Sequence, residues 1–94
     1  MDNPMMQAMQ QLQLMQEKMA EAQGQLESMS VSEVGGGGMI RVTVNGKGRI
    51  TRVDITPEAY AGDDREMFED LLIATINKTL DSAKAMAEQH VAKA

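Results

Sequence analysis

The 94-residue chain is 43% hydrophobic, 24% charged and 2% aromatic, a length that allows one domain and argues against two. With no cysteine, disulfides and thiolate metal sites are excluded, and a domain this small then finds its remaining stability in oligomerisation. The formal net charge of −5 argues against a polyanionic partner, but residues 36–56 carry Arg41, Lys47, Arg49 and Arg52 against Asp54 alone, between two acidic segments.

The start, Met1-Asp2-Asn3-Pro4, lacks the basic beginning and apolar core of a secretory signal. No apolar run approaches the roughly 18 residues of a spanning helix. A cytoplasmic location with no membrane partner is expected. From Met5 to Met29 apolar or small residues follow a seven-residue repeat, Met5, Leu12, Met19 and Leu26 in one set and Ala8, Met15, Ala22 and Met29 in the other. Alternating steps of three and four make the seam of a coiled coil or long packed helix, so a helix is predicted over 1–29. Pro4 suits its first turn, where a missing N–H costs nothing. Gly24 lowers helix stability by about 1 kcal/mol but leaves the repeat intact, with a bend as the expected consequence.

Gly35 to Gly38 cannot continue a helix and is read as a loop. Before it, Ser30 to Val34 alternates and reads as a short edge strand. After it, Met39 to Asn45 puts Ile40, Val42 and Val44 on one face, and Arg49 to Thr56 puts Thr51, Val53 and Ile55 on one face. A two-residue loop at Gly46-Lys47 unites these apolar faces, pairing Val44 with Arg49, Val42 with Thr51 and Ile40 with Val53. The other face then carries Met39, Arg41, Thr43, Ile50, Arg52 and Asp54, with Arg41 directly opposite Arg52. Like charges in that position destabilise a sheet, which points to an anionic complement.

Thr56-Pro57 closes the meander at 56, and 57–63 is read as a loop. Asp63 with Glu66 three residues on resembles a helix start. Met67/Phe68, Leu71/Leu72, Thr75/Ile76, Leu80, Ala83, Ala87 and Val91 then recur at steps of three and four, predicting a helix over 64–94, about 45 Å long. A small sheet covers only its first half. The expected fold class is therefore α+β: a single domain of helix (1–29), three-stranded antiparallel β-meander (30–56), loop and long C-terminal helix, in the order α-β-β-β-α. Apolar surface left over makes a homodimer the economical solution, with Met5, Leu12, Met15, Met19, Leu26 and Met29 as the dimer or core seam.

Catalytic chemistry is sparse. Gly46-Lys47 is followed by neither Ser/Thr nor a helix, so it is not a phosphate loop, and the glycine run leads into a strand. His90 is the one histidine. The ten methionines lie largely on the helical repeat and read as packing rather than soft-metal ligands. Asp63, Asp64, Glu66, Glu69 and Asp70 read as a solvated helix start. No enzyme activity, cofactor, metal or small-molecule substrate is expected. Tyr60 and Phe68 are the entire aromatic set, which disfavours base-stacking recognition of single strands and leaves duplex binding through phosphates open.

Four segments, Leu14-Met15-Gln16-Glu17-Lys18-Met19, Val42-Thr43-Val44-Asn45-Gly46, Val53-Asp54-Ile55-Thr56-Pro57 and Glu69-Asp70-Leu71-Leu72-Ile73-Ala74-Thr75-Ile76-Asn77, resemble in sequence and order the YbaB/EbfC family. The resemblance implies a bacterial, nucleoid-associated protein: an α-β-β-β-α subunit forming a tweezer-shaped homodimer that binds duplex DNA. On that footing the expected phosphate contacts are Arg41, Lys47, Arg49 and Arg52 from the sheet, assisted by Lys78, Lys84 and Lys93 from the long helix, with little base readout. The alternative reading is a protein–protein adaptor that docks partners on its Met-rich helical faces.

Overall fold

The computed structural model describes residues 3–62 and 64–93. They form α1 (Pro4–Ser28), β1 (Ser30–Gly35), a 3-10 turn (Gly36–Gly38), β2 (Ile40–Asn45), β3 (Ile50–Ile55), α2 (Pro57–Ala61) and α3 (Arg65–Lys93). The α-β-β-β-α order is as expected. One segment differs: the 57–63 stretch expected as a loop holds the short helix α2. Proline at the first helical position has its φ already set for a helix, and Glu58, Ala59 and Ala61 continue it.

Each long helix begins on a side-chain cap. Asn3 Oδ1 accepts the Met5 N–H at 3.0 Å, with Pro4 opening α1. At the start of α3, Asp64 Oδ1 accepts the Met67 N–H at 2.9 Å. The expected capping residue Asp63 lies outside the described residues. Gly24 does not interrupt α1.

The three strands form one antiparallel sheet in the order β1-β2-β3. The β2–β3 register differs from the expected one. Ile40 faces Ile55, Val42 faces Val53, Thr43 faces Arg52 and Val44 faces Ile50, so Arg41 lies opposite Asp54 and not opposite Arg52. The cause is the turn. Its loop has three residues, Gly46 to Gly48: the Asn45 N–H donates to the Arg49 carbonyl at 2.9 Å, and the Gly48 N–H donates to the Asn45 carbonyl at 3.0 Å. Asn45 Oδ1 also accepts the Lys47 and Arg49 N–H groups at 2.9 and 3.1 Å. Gly48 sits at φ +81°, the left-handed position that closes a three-residue hairpin and that glycine occupies without strain. The altered turn would turn the apolar residues of β3 outward. A bulge at Thr51, left without a partner between the Thr43–Arg52 and Val44–Ile50 pairs, restores Val53 to the face of Val42.

α3 lies across β1 and β2. Ile40, Val42, Val44 and Ala83 are fully buried there, surrounded by Val31, Met39, Phe68, Leu71, Leu72, Ile76 and Leu80. Burial of each large aliphatic contributes about 1.5–3 kcal/mol. Thr75 and Thr79 are buried as well, and donate to the Leu71 and Thr75 carbonyls at 2.8 and 2.7 Å, which satisfies their hydroxyls within the helix. A β-carbon at Gly35 would collide with Thr75, so the missing side chain is what lets helix and strand approach. β3 lies beyond this cover, and Val53 remains 42% exposed on its inner side.

α1 stands mostly clear of the rest, which gives a body of 77 × 17 × 15 Å. Of the expected seam, Leu26 is buried and Met29 half-buried, whereas Met5, Leu12, Met15 and Met19 are 57–73% exposed. The helix docks by its C-terminal end onto the hairpin tip, where the Gly46 N–H donates to the Leu26 and Met29 carbonyls at 2.9 and 3.0 Å. A β-carbon at Gly46 would lie 2.6 Å from the Leu26 oxygen, so this approach requires glycine. Lys47 Nζ to Glu27 at 3.3 Å and His90 Nε2 to Gln25 Oε1 at 2.9 Å tie the same end to the hairpin and to α3.

Candidate nucleic-acid interface

Cross-strand partners share a face, so the register places every basic residue of the sheet. Arg41, Thr43 and Asn45 alternate with the buried Ile40, Val42 and Val44 and therefore point away from α3. Arg52 faces Thr43, and Arg49 is bonded to Asn45. Arg41, Arg49 and Arg52 thus occupy one sheet face that no helix covers. From Arg41 to the level of Arg49 is four residues, about 14 Å of strand. The expected register had put Arg49 with Val44 on the apolar side, and Ile50 on the basic side. The turn and the bulge exchange these two residues, bringing Ile50 opposite Val44. No pattern of alternation reveals that exchange, but Asn-Gly-Lys-Gly, with a second glycine able to take positive φ, is the signal for the longer turn.

Around the arginines the face carries hydroxyls and one exposed apolar side chain, Val34, which lies opposite Arg41. Ser32 and Thr43 share a hydrogen bond of 2.7 Å, and Ser30 is exposed beside them. Hydroxyls and arginines together are the side chains that commonly meet phosphate oxygens. Asp54 is the acid on this face, and Arg52 Nε donates to it at 3.0 Å. The Arg52 side chain is 73% exposed, so the pair is worth at most about 1 kcal/mol and is readily exchanged for a phosphate. Arg41 and Arg49 form no ion pair with the described residues.

The remaining candidate bases are dispersed. Lys47 is engaged by Glu27 of α1. Lys78 lies in the opposite layer, on α3, 3.5 Å from Glu33, whose other carboxylate oxygen accepts from the Ser82 hydroxyl at 3.0 Å. Lys84 is exposed on α3, and Lys93 is its last residue. Within one subunit Lys47 and Lys78 are engaged away from the arginine face, and Lys84 belongs to the helical layer.

The molecule also has an apolar pocket of about 160 Å³ between α2 and the start of α3, lined by Met39, Ala59, Met67, Phe68 and Leu71 together with Glu58 and Asp64. Its carboxylates are already occupied. Asp64 caps α3, and a backbone hydrogen bond at the start of α2 holds the Glu58 carboxyl below the ordinary carboxylate range, opposite to the tuning of a general acid. Among the described residues no helix is long and apolar enough to cross a membrane.

Comparison with known proteins gives the family and the fold. The chain matches the model of the YbaB/EbfC DNA-binding family over residues 1–94. It is 40% identical over 86 residues to a nucleoid-associated protein of Anaeromyxobacter sp. strain Fw109-5, covering 92% of this chain and 84% of that one. A nucleoid-associated protein of Chlorobium luteolum is 44% identical over 85 residues, 90% of this chain and 76% of its own. Among solved structures, an uncharacterized protein of Helicobacter pylori shares the fold with a TM-score of 0.69 at 19% identity, over 83% of this chain and 90% of that one. The chain belongs to the YbaB/EbfC DNA-binding family.

Proposed function

We propose that the protein is a non-enzymatic component of the bacterial nucleoid, in the cytoplasm, that binds duplex DNA as a homodimer mainly through the phosphate backbone. The observation that carries this reading is the open sheet face with Arg41, Arg49 and Arg52 and a single acid, on a chain whose net charge is −5. In an acidic protein a local concentration of guanidinium groups supplies the attraction that the whole does not. Hydroxyls beside them suit sugar–phosphate contacts, and the near absence of aromatic residues disfavours base stacking. Lys84 and Lys93, and Lys47 and Lys78 after release from Glu27 and Glu33, add peripheral contacts. The homodimer is supported by the apolar surface a single subunit leaves open on α1 and β3.

Electrophoretic mobility of varied duplexes across a salt series tests this. If about four phosphates are neutralised per dimer, log K falls against log salt with a slope near −3 to −4, and Arg41→Glu with Arg52→Glu abolishes the shift. A flat salt response removes the mechanism. One observation favours a second reading: Met5, Met6, Met9, Met15 and Met19 are 60–73% exposed along α1, an adaptable surface for a protein partner. An adaptor using that helix keeps its partner when Arg41 and Arg52 are reversed.

A further inference from the structure

The chain has three asparagines, and their following residues set them apart. Asn3 precedes Pro4, whose nitrogen carries no hydrogen, and Asn77 precedes Lys78 inside α3, where the next N–H belongs to the helical ladder. Asn45 precedes Gly46, so the amide nitrogen that follows it has no side chain to shield it. The docking of α1 is what demands that glycine, because a β-carbon there would lie 2.6 Å from the Leu26 carbonyl oxygen. The same docking then covers the pair. Gly46 is buried, and its N–H is held by the Leu26 and Met29 carbonyls at 2.9 and 3.0 Å. The Asn45 side chain is held by the Lys47 and Arg49 N–H groups. Little fastens this cover: besides Leu26 and those two hydrogen bonds, the end of α1 is tied by the exposed Lys47–Glu27 and His90–Gln25 contacts. A joint so small opens locally before the sheet unfolds.

We propose that Asn45 is a self-modifying site, an asparagine that converts to aspartate and isoaspartate when α1 lifts from the hairpin tip. Once released, the Gly46 amide nitrogen attacks Cγ of Asn45. An N–Cγ bond forms, the Cγ–Nδ2 bond breaks, and the amide proton leaves with Nδ2 as ammonia, giving a five-membered succinimide. Water then opens the ring. Attack at Cγ yields aspartate, and attack at the main-chain carbonyl yields isoaspartate, whose backbone runs through Cβ. Water is the sole co-reactant. In the docked state the step is blocked twice. The nitrogen's proton is shared by two α1 carbonyls, and Asn45, paired with Ser30 at the end of β2, is held in strand geometry, whereas ring closure needs rotation about its Cα–C bond. The product adds a negative charge beside Lys47 and Arg49. Its isoaspartate form also lengthens a turn that the Asn45 side chain had gripped. On the duplex-binding reading, on which this consequence alone rests, a chain that loses α1 docking is left with a lasting loss of positive potential at the hairpin tip.

The full-length chain, incubated at neutral pH, tests this by peptide mapping in the mass spectrometer, which follows the exchange of NH2 for OH at each asparagine. Asn45 is expected to convert first, about tenfold or more slowly in the native chain than in the same chain in guanidinium chloride. Leu26→Ala is expected to raise the native rate by about tenfold. Hydrogen exchange locates the opening: in Leu26→Ala the Gly46 N–H exchanges faster while the amides of β2 stay protected. A native rate equal to the denatured one, a rate that Leu26→Ala leaves unchanged, or a Gly46 amide that opens only together with all of β2 overturns the gating by α1. Conversion at Asn77 ahead of Asn45 overturns the site. The converted chain, separated by its charge, is expected to shift duplex DNA more weakly than the unconverted one. Equal shifts overturn the consequence for binding, whereas the absence of a shift with either form overturns the duplex reading and leaves the modification standing.

Discussion

α1 and α3 are both long, both assembled from apolar residues at steps of three and four, and their environments are opposite. α3 presses Thr75, Thr79 and Ala83 onto the sheet until they are buried, whereas α1 buries Leu26 and leaves Leu12, Met15 and Met19 in solvent. The difference teaches that helical periodicity announces a face, not what covers it. α3 runs back along β1 and β2, whose apolar sides have no other cover. α1 meets the hairpin tip with its last turn and the end of α3 through Gln25 and His90, and its N-terminal part, with Met5, Met9 and Leu12 exposed, stands clear of its own subunit.

The sharpest break of this comparison is a pair of truncations. Ile40→Ala, beneath α3, is expected to cost about 2–5 kcal/mol in urea unfolding, and Leu12→Ala on α1 less than about 0.5 kcal/mol. Comparable losses at both sites mean that the α1 face is buried in the assembly. Next in size is the joint between the two regions. Gly46→Val drives a side chain into the Leu26 carbonyl and is expected to cost about 1–3 kcal/mol. Hydrogen exchange then rises in α1 while α3 stays protected; uniform loosening of both helices contradicts the local joint.

The two layers also differ in charge. Arg41→Glu on the open sheet face is expected to lower the magnitude of the salt slope of duplex binding by about 1 for each phosphate that Arg41 neutralises. Lys78→Gln, in the opposite layer beside Glu33, is expected to change it less. Equal effects from the two variants redirect the DNA toward α3. The smallest effect belongs to the Lys47–Glu27 pair. Both side chains are exposed, so Glu27→Gln is expected to shift unfolding free energy by less than about 1 kcal/mol, and a larger loss shows that this pair, not the Gly46 hydrogen bonds, holds α1 in place.

Much of the fold was legible in the residues. Alternation in Ile40, Val42 and Val44 identified the buried face of β2, and the stripe from Phe68 to Ala83 identified α3. Glycines 35 to 38 marked the break between β1 and β2. The candidate site was only partly legible. Arg41 and Arg52 were placed on a common face by parity alone. Arg49 was placed on the wrong face, because parity fails at a bulge, and no local pattern could tell that Lys78 of α3 lies in the layer opposite the arginines, beside Glu33.

Local patterning by itself determined which segments are helix and strand, and which side chains are apolar enough to seek cover, because propensity and period act over a few neighbouring residues. Tertiary structure decided the rest. Arg41 faces Asp54 because a three-residue turn, gripped by Asn45 and by the end of α1, outcompetes the shorter one, and a bulge at Thr51 absorbs the offset. Whether an apolar face is covered depends on which layer reaches it across the fold, and α3 reaches β1 and β2 but not β3.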